Sequence, residues 1–192
     1  MNSTKKSIVF FLIFAAILLC FSSCASAARA RESQLYVWLT NNARFFLLPP
    51  EYIETPMDNH QLMSASFGGQ NFQLSAWVKA DEMGIDMTMV NELGATVGEL
   101  SYRAGAVSFS SPMVPRSIGG EFIVADFQLA FYCAIALRKA LESIGLFFEE
   151  AGVNRRVFEG EMLIIDIERR PNAVMIVNHL RGYSLALEGD FK

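Results

Sequence analysis

Two histidines and three cysteines are spread over 192 residues, too few and too scattered for most metal or thiol chemistry. His60 and His179 lie far apart with no partner at metal-ligand spacing, and Cys133 has no second cysteine nearby to complete a zinc site. No Gly-rich phosphate loop occurs. Lys/Arg clusters are missing beyond Arg155-Arg156 and Arg169-Arg170, and nucleic-acid binding normally needs a basic face. Neither a metal, a cofactor nor a nucleic acid is therefore expected.

A nucleophile with its base is also missing. Gly182-Tyr183-Ser184-Leu185-Ala186 is faintly similar to a nucleophile elbow, but that motif needs a strand–Ser–helix turn, and Ser184 lies inside a strand pattern. Asp81, Glu82 and Asp86 around Gly84 lack the ring-like spacing of a calcium loop and read as a solvated hairpin turn. Cys133 reads as a small buried apolar residue, and Asp126 as an acid in the first turns of a helix, where the macrodipole favours it. The expectation is a protein that is not an enzyme.

What is abundant is apolar bulk, and it begins at the N-terminus. Lys5 and Lys6 precede an uncharged apolar run from Ile8 to Phe21, and small residues follow from Ser22. The run falls short of the roughly 20 apolar residues that span a bilayer, and its flanks fit a cleaved export signal over residues 1–23. Cleavage after Ala25-Ser26-Ala27 would release a soluble protein. Phe21-Ser22-Ser23-Cys24 instead resembles a bacterial lipobox, which would leave acylated (palmitoylated) Cys24 as the new N-terminus. A cysteine where the apolar run ends favours the second reading. Residues 24–34 then form a lipidated N-terminus and a small, polar tether.

With Cys20 removed and Cys24 acylated, Cys133 stands alone and no intramolecular disulfide is available. Stability must come from a core, and a domain over residues 35–192 is long enough to bury roughly 70% of its unfolded surface. Loss of Lys5 and Lys6 leaves 14 basic against 20 acidic side chains, so the exported chain is acidic.

Most of that domain alternates apolar and polar residues at period two. Phe72–Lys79 does so up to Ala76 and then slips, as at a bulge. Ile85–Met89, Val97–Tyr102, Val107–Phe109, Leu146–Glu149, Arg156–Phe158, Met162–Glu168, Val174–Asn178 and Tyr183–Glu188 read as further strands, separated by tight turns. Glu121–Ile144 is the exception. It has no Gly or Pro, and Val124, Phe127, Phe131 and Ile135 form a helical stripe, with a break near Tyr132-Cys133 also compatible with the pattern. Gly145 ends it in the C′ role. The plan is strands, a helical segment, strands: an α+β fold, mainly antiparallel β, with a curved sheet and a helix closing its concave side. Sixteen Phe and nine Met suit an adaptable apolar interior as well as a filled core.

The stretch Met87-Thr88-Met89-Val90-Asn91-Glu92-Leu93-Gly94-Ala95-Thr96, continuing to Glu99-Leu100-Ser101-Tyr102, resembles a hairpin of LolB, the outer-membrane lipoprotein that receives lipoproteins from the periplasmic carrier LolA. Phe109-Ser110-Ser111-Pro112, Val124–Ala130 and Leu180-Arg181-Gly182-Tyr183 resemble an uncharacterised lipoprotein family of the LolA/LolB superfamily, associated with aryl-polyene clusters. The resemblance runs from about Leu62 to the C-terminus. It implies an unclosed antiparallel β-barrel with a helical lid over an apolar cavity. It also implies that Leu93 is a membrane or ligand-transfer tip; Glu92 departs from the proline that LolB carries there. Ala25 is not the aspartate that retains lipoproteins in the inner membrane, so the resemblance implies the periplasmic face of the outer membrane.

The expected function is to bind or transfer a hydrophobic ligand: a lipid, a lipoprotein acyl chain or an aryl-polyene lipid. Trp77, Met87, Met89, Phe127 and Phe131 are the expected lining of its cavity. The alternative is a non-enzymatic envelope assembly factor that binds protein partners through the barrel edge.

Overall fold

Alternation at period two becomes twelve strands in the computed structural model, which describes residues 34–112 and 119–191. The expected signal segment and Cys24 lie outside the described residues. Two short strands, β1 (Tyr36–Trp38) and β2 (Arg44–Phe46), pair with each other. A 3-10 turn at Pro50–Tyr52 leads into a meander of β3 (Met57–Phe67), β4 (Gln70–Asp81), β5 (Gly84–Val90), β6 (Thr96–Arg103) and β7 (Ala106–Ser110). Helices α1 (Gly120–Phe131) and α2 (Ala134–Glu142) follow. A second meander closes the chain: β8 (Phe147–Ala151), β9 (Asn154–Glu159), β10 (Met162–Arg170), β11 (Ala173–Asn178) and β12 (Tyr183–Glu188).

β12 pairs antiparallel with β3 and joins the two meanders into one ten-stranded sheet in the order β7-β6-β5-β4-β3-β12-β11-β10-β9-β8. The sheet is antiparallel throughout and does not close, since β7 and β8 are its edges. One feature expected from sequence differs. β4 runs through Ala76–Val78 in unbroken register with β3 and β5, so there is no bulge there. The apparent slip arises because Trp77 is a large apolar residue on the outer face. The irregularities sit instead between Met89 and Val90 and between Leu163 and Ile165.

Register sorts the side chains. Val78, Met87, Leu100 and Phe109 form one inward row, and Ala76 and Met89 lie in the next. On the second meander Val174, Ile176, Ile167 and Val157 face the same way. Nearly all of these are buried, as expected for the covered face of an antiparallel sheet.

The cover is α1. A Cβ on Gly120 would come within 2.5 Å of Phe109 Cβ, so only glycine lets the start of α1 sit this close to β7. At the other end, Arg155 of β9 donates through Nη1 to the carbonyls of Leu129, Ala130 and Tyr132 at 3.1, 3.0 and 2.8 Å. Eight strand steps separate β7 from β9. In a flat sheet that is about 38 Å, yet a twelve-residue helix spans only about 18 Å. The sheet must therefore curl around α1.

The helix breaks at Tyr132-Cys133, where the backbone N–H of Cys133 donates to Tyr52 and that of Glu54 donates to Phe131. This break cuts the stripe expected to continue to Ile135. That residue lies in the first turn of α2 and is 79% exposed.

Arg155 is fully buried and also meets Glu150 (2.7 Å) and Glu54 (3.0 Å). Arg169 joins the same two carboxylates, at 3.1 and 2.7 Å. Burial works against the charge on Glu54, but its bonds to Arg169 and Arg155 outweigh that and hold its pKa below the ordinary value. Replacement of Arg155 by Ala removes the donor to the Leu129 and Tyr132 carbonyls and leaves Ala130, Glu54 and Glu150 to Arg169 alone. Urea denaturation should show a loss of about 3–5 kcal/mol. A loss under about 1 kcal/mol would mean that the guanidinium is dispensable to the wrap.

Candidate functional site

The sheet has two ends. One, here the tip end, carries the β3–β4, β5–β6, β9–β10 and β11–β12 turns; the other carries the β4–β5, β6–β7, β8–β9 and β10–β11 turns. The inner face differs between them.

Met87 and Met89 keep 5% and 3% of their surface, and Phe127 and Phe131 keep 5% and 7%. All four belong to the buried core. Phe127 and Phe131 stack on each other with ring centroids 4.7 Å apart, and Phe131 meets Phe191 at 5.4 Å. Side chains bordering a ligand-sized space would keep more accessible area, so these four pack on protein here. Trp77 is not inside at all. It is 55% exposed on the outer face of β4, and its indole N–H donates to Asp58 at 2.8 Å. Its expected lining role is corrected by the unbroken register of β4, which puts its neighbours Ala76 and Val78 inward.

The accessible apolar surface lies nearer the tip end, on residues the sequence reading did not single out. Met63 and Ala65 of β3 stand opposite Leu74 and Phe72 of β4, and Leu185 of β12 stands opposite Ala65. All five face inward and all are only half-buried. Phe122 and Ile123, near the start of α1, are half-buried as well. The reason is architectural: β4 outruns β5, which pairs only with Ser75–Asp81, so among the described residues Gln70–Leu74 has no strand on that side. The alternation at Phe72–Leu74 pointed inward correctly. What could not be read was that the neighbouring strand stops short.

Leu93 projects from the same end. Asn91 builds the β5–β6 turn: its side-chain oxygen accepts from the N–H groups of Leu93 and Ala95, both at 3.0 Å, and its backbone pairs with Ala95 and Gly94. Gly94 takes φ +76°, a conformation that glycine adopts freely. These bonds close the turn around Asn91, and Leu93 at its tip is left 90% exposed.

A polar group borders the apolar strip. Asp126 lies mid-way along α1 rather than in its first turns, and both its oxygens lie within 2.8 Å of the Tyr183 hydroxyl, which donates to it. Tyr183 is on β12 two residues before Leu185, so the carboxyl sits at the strip's margin. Burial pushes the Asp126 pKa up to about 7, against the opposing pull of the Tyr183 bond and the Arg181 charge. The same burial, with the adjacent carboxylate, raises the Tyr183 hydroxyl. Arg181 stacks its guanidinium over Phe122, 4.7 Å from the ring centroid, and donates to the Trp38 carbonyl. The signal that could have found this pair is a lone acid amid the apolar run Val124–Phe131, facing the turn at Leu180–Tyr183.

The family described as "Protein of unknown function (DUF3261)" matches residues 58–189. The chain belongs to the DUF3261 family. The match covers the ten-stranded sheet from the second residue of β3 to the end of β12, together with both helices, so the DUF3261 unit contains the strip, the tip and the Asp126–Tyr183 pair. β1 and β2 precede it. No curated protein matches the chain.

Other candidate groups have local partners. Asp86 binds Ser101 and Arg103, and Asp81 accepts from the backbone of Met83. Ser184 faces outward on β12, with no helix following it. Cys133 is half-exposed at the start of α2.

The raised pKa of Asp126 gives a signed prediction. A folded-state value above the unfolded one stabilises the fold fully below about pH 4, and that contribution is lost as pH rises through 7. Asp126→Asn, which still accepts from Tyr183, should therefore raise Tm clearly at pH 8 and leave it nearly unchanged at pH 4. Equal shifts at both pH values would contradict a protonated Asp126 in the fold.

Proposed function

We propose that this DUF3261 protein is a non-enzymatic lipoprotein of LolA/LolB-like architecture that binds or transfers a hydrophobic ligand. In this reading acylated Cys24 anchors it to the outer membrane, at the periplasmic face. The observation that carries the proposal is the pairing, at one end of an unclosed sheet, of an accessible inward-facing apolar strip with the 90% exposed Leu93. Apolar side chains at a hairpin tip gain by entering lipid, and an apolar strip can take an acyl or polyene chain leaving it.

The ligand classes that suit this surface are a lipid, a lipoprotein acyl chain or an aryl-polyene lipid. The buried set Met87, Met89, Phe127 and Phe131 forms the floor beneath the strip, and entry of a long chain would require those side chains to repack.

Leu185→Asp puts a charge on the strip at a half-buried position. It should weaken uptake of an apolar fluorescent dye at least tenfold, while Trp77→Ala on the outer face leaves uptake unchanged. Undiminished uptake by a folded Leu185→Asp protein would overturn the reading. Leu93→Glu should change stability by less than about 0.5 kcal/mol, because the side chain touches little. It should leave dye uptake intact and slow delivery of bound acyl chain to vesicles. Mass spectrometry of protein purified from membranes tests the anchor: an N-terminal acylated Cys24 supports it, and a chain starting after Ala27 removes it.

A second reading, an assembly factor that binds envelope proteins through a strand edge, has one observation in its favour. Among the described residues no strand pairs with Gln70–Leu74 on the side where β5 ends, which suits addition of a partner strand.

A further inference from the structure

Three groups of different chemistry meet at the margin of the apolar strip. Asp126 and Phe122 are four residues apart on α1 and so share a face of the helix. Arg181 lies against Phe122 and close enough to Asp126 to favour its ionised form. Tyr183 joins Asp126 to β12, and the next inward residue on that strand, Leu185, begins the strip.

The hydrogen bonding of Asp126 is incomplete. A carboxylate offers about four acceptor positions, and a tyrosine hydroxyl has one proton. No donor other than Tyr183 reaches Asp126 among the described residues. A half-covered acid with spare acceptors is costly to keep ionised, and an amide of the same shape would lack that cost. Arg181 is exposed, and among the described residues its guanidinium donates to one carbonyl and stacks on one ring, which leaves most of its five N–H donors without a protein partner. Both sets of spare valences lie beside Phe122, at the place where a chain lying on Leu185, Ala65 and Phe72 would leave the strip.

We propose that Asp126 and Arg181 recognise the head of a zwitterionic amphiphile, with an ammonium on Asp126, a phosphate oxygen on Arg181 and the hydrocarbon chain along Leu185, Ala65 and Phe72. This rests on the carrier reading above and names the class of ligand for it. A charge-assisted bond at each end would discriminate such a head from a purely anionic or uncharged one. Tyr183 is the positioning residue, since its hydroxyl fixes the rotamer of Asp126.

The test uses lysolipids of one chain length below their micellar concentration: lysophosphatidylethanolamine, lysophosphatidylglycerol and the matching fatty alcohol. Calorimetry at pH 8 gives the affinities. Intrinsic fluorescence gives a second readout in a Trp77→Phe background, because Trp38, the other tryptophan of the chain, is hydrogen-bonded to Arg181. The ethanolamine lipid should bind at least tenfold more tightly than the glycerol lipid, and both more tightly than the alcohol. Asp126→Asn should cancel the ethanolamine preference while keeping glycerol-lipid affinity within twofold. Arg181→Gln should weaken both phospholipids and leave the alcohol unchanged. Equal binding of all three heads by the wild-type protein, or an ethanolamine preference that survives in Asp126→Asn, would overturn the head-group assignment and leave the carrier reading standing. Failure of every amphiphile to bind would overturn the carrier reading itself.

Discussion

A single buried guanidinium holds the architecture together. α1 ends in carbonyls that no further helical turn can satisfy, and the charge of Arg155 is brought to them from β9. The same side chain is neutralised by Glu150 and Glu54, so a buried charge, a helix end and the loop after the 3-10 turn satisfy one another. Because β9 lies at the far side of the sheet from β7, fastening it to the helix that starts over β7 forces the sheet to curl. A second buried polar contact works in parallel. Gln128 exchanges two hydrogen bonds with the backbone of Leu48, and the Tyr102 hydroxyl donates to the same carbonyl, which pins the N-terminal segment against α1.

The consequences for the inner face follow. Where α1 is held at its C-terminal half, its aromatics fill the interior. Where β5 stops short of β4, no other described strand takes its place, and apolar side chains are left half-accessible beside an acid and an arginine. Filled floor and open margin are thus two results of one geometry: a straight helix of fixed length inside a sheet whose strands are unequal. The exposed Leu93 has the same origin, since its turn satisfies its own hydrogen bonds and has no further strand to pack on.

Much of this was legible beforehand. The nine strands from Phe72 onward are visible in the sequence pattern, Ile85–Met89 and Val97–Tyr102 as clean alternation, and the break at Tyr132-Cys133 falls between α1 and α2. β3 is not legible in the same way: its inward positions include Asn59 and Gln61, so a strand at the centre of the sheet carries a weak apolar pattern. The bulk and hydrophobicity of Trp77 suggest burial, whereas the parity of its strand, and a hydrogen bond to Asp58, put it outside. Asp126 reads locally as a helix-dipole residue because its partner is 57 positions away in sequence.

Local periodicity and turn chemistry determined by themselves that this chain would be an antiparallel sheet with a helical segment, and which face of most strands would be apolar. These depend on residues a few positions apart. Tertiary structure decided where the sheet begins and ends, how far each strand outruns its neighbour, and therefore which inward apolar residues are core and which remain open. Those outcomes depend on contacts between distant segments, Arg155 with α1 and Asp126 with Tyr183 above all, and a period of two or of 3.6 residues carries no information about them.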